Sequence, residues 1–213
     1  MQSSSLTEQG ISVSGIKSSN CPLIVRICGG AARGIPLQIP KGIEIRPATE
    51  ANRERLFSSL GERVVGTHFL DLFAGTGSYG LEALSRGAKQ GEFVENNRKA
   101  IGSLYKNLEN VCKSAQSNQN CFTVHKRDVI EYLKSNIAPF DLIFLDPPYP
   151  IFPQVGPIIF ELILENKMIK GNGLLIHEAP PETLSDFDGW EVVRTIGKSK
   201  KGCPSFKLFQ IKT

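Results

Sequence analysis

The chain has 213 residues, of which 40% are hydrophobic and 22% are charged, and its formal net charge is +4 at pH 7. This composition is typical of a globular protein, and the length allows one main domain with a small appendage. No run of residues is apolar for long enough to cross a bilayer, so we expect a soluble protein.

The beginning of the chain does not look like part of the fold. Its first twenty residues hold seven serines, one lysine and no arginine, which argues against a secretory signal or an Arg-rich transit peptide. We expect residues 1–22 to form a disordered leader.

The five cysteines form no CxxC pair, which argues against a zinc site or a disulfide framework and favours reduced thiols in the cytoplasm.

Residues 23–62 predict a small amino-terminal appendage. Residues 24–27 and 35–39 flank the pair Gly29-Gly30, a pattern typical of a hairpin. Thr49 can cap a helix that ends near Gly61.

From Thr67 onward, apolar strands alternate with helices, as in a parallel sheet that is covered on both faces. Five parallel strands are expected at residues 68–73, 92–95, 121–125, 140–145 and 174–177. Helices are expected between them around residues 81–84, 101–111, 130–133 and 158–164. Residues 190–196 and 205–211 leave no room for a helix and predict an antiparallel pair at one edge. The predicted fold is α/β, with residues 63–213 forming a mostly parallel, seven-stranded sheet.

A glycine-rich turn follows the first predicted strand. Residues Gly75-Thr76-Gly77-Ser78-Tyr79-Gly80 match G-x-G-x-x-G, and Glu95 lies twenty residues beyond Gly75. This is the fingerprint of a dinucleotide site, in which an acid at the second strand tip binds ribose hydroxyls. The same geometry serves an adenosyl ligand without pyrophosphate, so the fingerprint alone leaves both ligands open.

Two further carboxylates favour the adenosyl ligand. Asp128 follows the third predicted strand and Asp146 closes the fourth. A ligand laid across successive strand ends would bring its ribose, its adenine and its reactive centre to Glu95, Asp128 and Asp146 in that order. Asp71 and Asp128 could each instead cap a helix.

The residues Asp146-Pro147-Pro148-Tyr149 come directly after the fourth strand. Two successive prolines end a buried strand abruptly and lock φ, which fixes Asp146 and Tyr149 at the carboxyl edge of the sheet. Such a turn suits a flat, hydrogen-bonding ring, although a Pro-Pro pair can also do no more than end a strand.

The three histidines are scattered, so neither a metal site nor covalent catalysis is expected.

These residues resemble S-adenosylmethionine-dependent methyltransferases, whose Asp/Asn-Pro-Pro-Tyr/Phe turn binds a planar amino group. The resemblance extends to the RsmD family through several further segments. They are Arg26-Ile27-Cys28-Gly29-Gly30, Arg33-Gly34, Arg46-Pro47-Ala48-Thr49-Glu50, Arg53-Glu54, Leu56-Phe57 and residues 71–77 and 81–88. The chain departs from the family at Ala48, where threonine is usual, and at Glu50, where aspartate is usual.

The resemblance implies a Rossmann-like class I methyltransferase fold, S-adenosylmethionine as cofactor, and methylation of N2 of a guanine in 16S ribosomal RNA, free or in the assembling small subunit. It implies catalytic roles for Asp146, Pro147 and Tyr149. The residues that it implies for cofactor binding are Asp71, Phe73, Gly75, Gly77, Glu95, Asp128 and Asp146.

Positive charge is in excess at both ends of the expected fold, as a surface that binds a polyanion requires. Residues 26–63 hold seven basic and four acidic side chains, and residues 194–213 hold six basic and no acidic ones. The expected RNA-binding residues are Arg26, Arg33, Arg46, Arg53, Lys200 and Lys201. A charged run can also be a merely solvated surface.

Three other functions compete with this interpretation. An amino-methyltransferase acting on DNA adenine or cytosine, or on protein glutamine, shares the Pro-Pro-Tyr turn but more often carries Asn before it. A nicotinamide-dependent dehydrogenase explains the glycine turn and Glu95, but it leaves Asp128 and Asp146 unexplained. A non-catalytic RNA-binding module explains only the basic ends.

Overall fold

The computed structural model describes residues 24–40, 49–135, 138–179, 186–197 and 205–212. The helices are α1 (Thr49–Leu60), α2 (Ser78–Ser85), α3 (Arg98–Ala115), α4 (Val129–Leu133) and α5 (Phe152–Glu165). The strands are β1 (His68–Leu72), β2 (Gln90–Glu95), β3 (Phe122–Lys126), β4 (Phe140–Leu145), β5 (Ile169–Ala179), β6 (Trp190–Ile196) and β7 (Ser205–Ile211). Short 3₁₀ turns lie at Gly61–Val64 and Gln119–Cys121. The expected leader lies outside the described residues.

The seven strands form one sheet in the order β3-β2-β1-β4-β5-β7-β6. Strands β1 to β5 run parallel, and β7 lies antiparallel between β5 and β6. This confirms the predicted α/β fold with a mostly parallel sheet and an antiparallel hairpin at its edge. The strand order reverses between β1 and β4, and sheets of this kind bind ligands beside the carboxyl ends of the strands at such a switch point.

Both faces of the sheet are covered, because parallel strands are apolar on both sides. On one face, α1, α2, α3 and residues 24–40 pack in a core that includes Phe69, Phe93 and Phe144. On the other face, α4 and α5 pack in a second core that includes Leu70 and Ile143. Neighbouring residues of a strand alternate between faces, so Phe69 and Leu70 anchor opposite layers. Each such buried side chain contributes about 1.5–3 kcal/mol to folding.

The two arms of the predicted amino-terminal hairpin pair over a short stretch. Arg26 and Pro36 form an antiparallel bridge, and on either side of it Ile27 N donates to Ile35 O at 3.0 Å and Leu37 N donates to Val25 O at 2.8 Å. The segment is also held by α2: Ala31 N donates to Ser85 O at 2.7 Å. Gly30, at φ 77°, is required there, since a Cβ would lie 1.9 Å from that oxygen.

Two elements begin five or more residues earlier than predicted. Strand β5 begins at Ile169 rather than at residue 174, and its register against β4 shifts across the exposed residues 170–172. Helix α5 begins at Phe152 rather than near residue 158, with Pro153 in its first turn, where the missing N–H costs nothing. The boundaries expected for the leader, the appendage and the main domain stay predictions.

Within the described residues, no helix has both the length and the apolar character needed to span a bilayer. The same residues contain no group of three His, Cys, Asp or Glu side chains placed to hold a metal ion.

Candidate active site at the carboxyl edge of the sheet

Three glycines lie in the turn after β1 and in the first turn of α2, and each is required for a different reason. Gly77 packs on α3, since a Cβ would lie 2.4 Å from Leu104 Cδ1. Gly80 packs on β2, since a Cβ would lie 2.3 Å from the nearest ring atom of Phe93. Gly75 has φ 56° and its nearest neighbour to a Cβ is 4.0 Å away, so its constraint is conformational and open space lies beside it. A ligand can therefore approach the backbone at Gly75.

Glu95 connects the tip of β2 to this turn. Its Oε2 accepts a hydrogen bond from Gly75 N at 2.7 Å. Its Oε1 accepts from Asn96 N at 2.9 Å and from Asn97 N at 2.7 Å. A carboxylate has about four lone-pair positions, so roughly one remains for a ligand hydroxyl. Glu95 thus shapes the turn and can still bind ribose.

Asp71 lies behind the turn and is only 1% exposed. Its Oδ2 accepts from Gly80 N at 2.9 Å, which holds the first turn of α2. Burial, with a smaller contribution from the charge of Glu95, raises the pKa of Asp71 to about 7, against the lowering effect of the Gly80 N–H. The side chain therefore stabilises the turn through its bond to Gly80 N. Its contact with a cofactor stays a prediction. Phe73 follows β1 with φ 59° and is half-buried.

Asp128 is exposed and caps α4. Its Oδ1 accepts from Ile130 N at 2.8 Å and from Glu131 N at 3.2 Å. The capping alternative considered for this residue is therefore confirmed. Capping does not conflict with a ligand contact, which stays a prediction.

The ends of three neighbouring strands bring the central groups together. Leu145 of β4 lies in register with Leu72 of β1 and with His177 of β5. The residues that follow, Phe73, Asp146 and Glu178, therefore begin side by side along the edge. Asp146 stands between the glycine turn and Glu178, at the switch point of the sheet.

The Asp146-Pro147-Pro148-Tyr149 turn starts directly after β4, as predicted. Pro147 is buried, Pro148 is exposed, and Asp146 and Tyr149 are half-buried. Pro148 O accepts from Ile151 N at 3.1 Å, which leads the turn into α5. The turn thus belongs to the rigid framework of the sheet edge.

A buried pair beside Asp146 was missed by sequence reasoning. The Tyr79 hydroxyl donates to Glu178 Oε2, and the two residues are 6% and 3% exposed. With Asp146 they line a closely packed space that is too small for a water molecule, and its apolar walls are Phe144, Leu145, Ile176 and Phe206. Burial, then the charges of Glu178 and Asp146, raise the pKa of Tyr79 well above its ordinary value. Glu178 could have been found from its place after an apolar strand, as Asp146 was.

His177 supports the same edge from inside the fold. Its Nδ1 lies 3.0 Å from Leu145 O, and its ring stacks on Phe152 at 4.0 Å between centroids. Burial lowers the pKa of His177 to about 4, so the imidazole is neutral at physiological pH.

The predicted RNA-binding residues separate into three groups. Arg26 and Arg33 are exposed. Arg33 lies in the turn that packs on the carboxyl end of α2, the end away from the glycine turn. Arg46, Lys200 and Lys201 lie outside the described residues.

Arg53 requires a correction. Its side chain is 1% exposed, and its Nε lies 3.4 Å from Oε2 of the fully buried Glu82. Its Nη2 also donates to Arg26 O. A guanidinium enclosed in this way has no surface to offer RNA, so we remove Arg53 from the expected RNA-binding set and assign it a structural role.

Comparisons with known proteins agree with this geometry. The model of the family described as conserved hypothetical protein 95 matches residues 25–205. Ribosomal RNA small subunit methyltransferase D of Haemophilus influenzae is 32% identical over 199 residues, which are 92% of this chain and 98% of that protein. The protein of the same name from Escherichia coli K12 is 36% identical over 125 residues, 59% of this chain and 60% of that protein.

Among solved structures, the chain is similar to yhhF of Escherichia coli, described as a candidate methyltransferase. The TM-score is 0.76 at 30% sequence identity, and the match covers 88% of this chain and 98% of that one. The similarity therefore extends over most of this chain and nearly all of that one.

Proposed function

Since the chain belongs to the RsmD family of small-subunit ribosomal RNA methyltransferases, we propose that it methylates N2 of a guanine in 16S ribosomal RNA, with S-adenosylmethionine as the methyl donor. The observation that carries the proposal is the position of Asp146 and Pro147 at the switch point, beside the glycine turn. An acceptor base at this edge would meet the donor's methyl group directly.

The glycine turn and the strand tips fit the methyl donor. Open space lies beside Gly75, and Glu95 retains lone-pair capacity for a ribose hydroxyl. The residues proposed to hold the donor are Asp71, Phe73, Gly75, Gly77, Glu95, Asp128 and Asp146. When bound, S-adenosylmethionine supplies a sulfonium methyl group, which the amino nitrogen receives as the carbon–sulfur bond breaks.

Asp146 and Pro147 prepare the acceptor nitrogen. The amino group of guanine is a poor nucleophile, because its lone pair is delocalised into the ring. Hydrogen bonds from its two N–H groups to the Asp146 carboxylate and the Pro147 carbonyl favour a pyramidal nitrogen with a localised lone pair. Tyr149 stacks on the base and fixes its position. Positioning and fixed dipoles then provide most of the rate, and the Asp146 carboxylate accepts the amino proton that is lost.

The target base must leave any helical stack to reach this edge. Unstacking costs a few kcal/mol, and looped-out or single-stranded bases avoid most of that cost. We therefore propose an unpaired guanine, in free 16S RNA or in an assembling small subunit, and the cytoplasm as the place of the reaction.

Transfer of labelled methyl groups tests the proposal. The substrates are 16S RNA and small subunits that lack the modification, and the product is identified by nucleoside mass analysis. We expect label in N2-methylguanosine. Label in another nucleoside, in DNA or in protein glutamine would overturn the assigned acceptor.

Variants of Asp146 test its role in the same assay. Asp146→Ala should lower transfer by about 100-fold or more, while the calorimetric affinity for S-adenosylmethionine falls far less, because six other proposed residues still hold the donor. Asp188→Ala, at an exposed aspartate away from this edge, should change neither quantity. A parallel loss of transfer and donor binding in Asp146→Ala would contradict the acceptor role.

A further inference from the structure

A buried asparagine of α3 connects the glycine turn to the amino-terminal segment. Asn107 is fully buried. Its Nδ2 donates to Thr76 O, inside the glycine turn, at 3.0 Å and to Gln38 O at 3.1 Å. Its Oδ1 accepts from Gln38 N at 2.7 Å. One side chain therefore bonds to two backbone segments that are far apart in the sequence.

These bonds require an amide at this position. Gln38 N is a donor, so the atom of Asn107 that faces it is the oxygen, and the nitrogen faces the two carbonyl groups. An amide nitrogen carries two hydrogen atoms, and here each has a carbonyl oxygen to bind. A carboxylate of the same shape has no hydrogen to donate. The contact therefore depends on the chemistry of asparagine as well as on its size.

The bond to Thr76 O orients the middle of the glycine turn. Thr76 lies between two residues with positive φ, Gly75 at 56° and Gly77 at 86°. Because the peptide group is planar, holding Thr76 O also orients the N–H of Gly77. Glu95 holds the preceding residue through Gly75 N. The backbone beside the open space at Gly75 is thus fixed by one side chain from the tip of β2 and by Asn107 from α3.

A ligand that lies against backbone depends on the conformation of that backbone. A turn that already has its binding conformation loses less conformational entropy when the ligand binds, so the ligand binds more tightly. A turn whose Thr76 carbonyl has lost its buried donor must be put back in place at the expense of affinity. The bond from Asn107 therefore bears on donor binding even though Asn107 lies behind the turn.

We propose that Asn107 is a positioning residue for the methyl donor, which holds the Thr76 carbonyl so that the glycine turn is formed before S-adenosylmethionine binds. This inference rests on the proposed function, because it assumes that the donor lies against Gly75 and Gly77. The role differs from general stabilisation, since it predicts a loss of donor affinity in protein that remains folded.

Replacing Asn107 with aspartate tests the proposal with almost no change of shape. In Asn107→Asp one oxygen still accepts from Gln38 N, but the other faces the carbonyl oxygens of Thr76 and Gln38 and repels both. The calorimetric dissociation constant for S-adenosylmethionine, and KM for the donor, should rise by about tenfold or more. The value of kcat at saturating donor and 16S RNA should stay within about threefold of the wild type, because Asp146 and Pro147 are untouched.

The matched control is Asn166→Asp. Asn166 follows α5, and its Nδ2 donates to Leu133 O at 2.8 Å, so the substitution removes the same kind of bond away from the glycine turn. It should leave the dissociation constant and KM for the donor unchanged. Asn107→Ala serves if Asn107→Asp does not fold, since it removes the bonds without adding a charge and should weaken donor binding in the same direction.

The outcomes separate this inference from the proposed function. Unchanged donor affinity in a folded Asn107 variant, or a fall in kcat with KM for the donor unchanged, would overturn the inference and leave Asn107 as a packing residue. An equal loss of affinity in Asn166→Asp would also overturn it. If the affinity falls as expected but label appears in a nucleoside other than N2-methylguanosine, the proposed acceptor fails and the inference stands. If the wild-type protein binds no S-adenosylmethionine, both fail.

Discussion

Asp71 is the buried acid beneath the glycine turn, and its ionisation opposes folding. Its pKa is about 7 in the folded protein, whereas an aspartate in an unfolded chain has a pKa of about 3.9. Between these values the unfolded chain has released the proton and the folded protein still holds it. The stability that Asp71 contributes is therefore complete below pH 4, and it is lost as the pH rises to about 7.

Replacing Asp71 with asparagine should remove this pH dependence. The amide oxygen can still accept from Gly80 N, and it has no charge to bury. Asp71→Asn should therefore be more stable than the wild type at pH 8, by an amount on the order of 4 kcal/mol at most, and about equal to it near pH 4. Thermal unfolding of both proteins at pH 4, 6 and 8 measures the difference. A constant difference across this range would show that Asp71 titrates normally.

At the scale of helices and strands, one buried ionic group joins three parts of the fold. Glu82 of α2 accepts from Cys28 N at 2.7 Å and from Arg86 Nε at 2.8 Å, and it pairs with Arg53 of α1. The three partners come from residues 24–40, from the residue that follows the end of α2, and from α1. The Glu82 carboxylate is therefore one of the contacts that fix the amino-terminal segment, beside the bond from Ala31 N to Ser85 O.

Removing that charge should destabilise the whole fold. Breaking a buried ion pair from one side typically costs about 3–5 kcal/mol, because the remaining charge stays buried without compensation. We expect this loss in the unfolding free energy of Glu82→Gln, measured by urea denaturation. The control is Glu62→Gln, at an exposed glutamate, which should change stability by no more than about 0.5 kcal/mol. Similar values for the two variants would mean that the network contributes little.

At the scale of the whole molecule, exposed positive charge on the amino-terminal segment bears on RNA binding. Each phosphate contact with single-stranded RNA contributes about −0.7 to the slope of log K against log salt. The double variant Arg26→Ala/Arg33→Ala should therefore flatten the slope for 16S RNA by about 1.4 and weaken binding at low salt by roughly tenfold. Titrations at several salt concentrations measure both quantities.

The matched control for this surface is Lys134→Ala. Lys134 is exposed at the end of α4, on the opposite face of the sheet, where it pairs with Glu131. Its replacement should leave the slope unchanged. If the double variant keeps the wild-type slope, the amino-terminal segment does not contact RNA phosphates.

The sequence predicted the sheet better than it predicted the contacts across it. Strand β4 has its predicted bounds, because a run that is apolar except for Asp141 and is soon followed by two prolines predicts a buried strand with a sharp end. The first part of β5 was missed, since Lys170-Gly171-Asn172-Gly173 has the composition of a turn although it continues the strand. The start of α5 was missed for a similar reason, because Pro153, Gly156 and Pro157 are residue types that usually argue against a helix.

The site was predicted where its residues follow one another along the chain or mark a strand end. Its missed members depend on tertiary contacts. Tyr79 and Glu178 are 99 positions apart, and only the folded sheet edge brings them together. The burial of Arg53 could not be predicted for the same reason, because an arginine on a helix is usually exposed and its buried partner lies on another helix.

The turn after β4 has few backbone N–H donors, and this bears on the substrate proposed for it. Pro147, Pro148 and Pro150 have no amide hydrogen, so this stretch presents oxygen atoms with few backbone N–H groups among them. A substrate group that needs to receive hydrogen bonds, such as a carbonyl or a ring nitrogen, would find few donors along this backbone. The amino group of the proposed substrate would find acceptors there, so the backbone supports the proposed choice of an amino acceptor independently of any side chain.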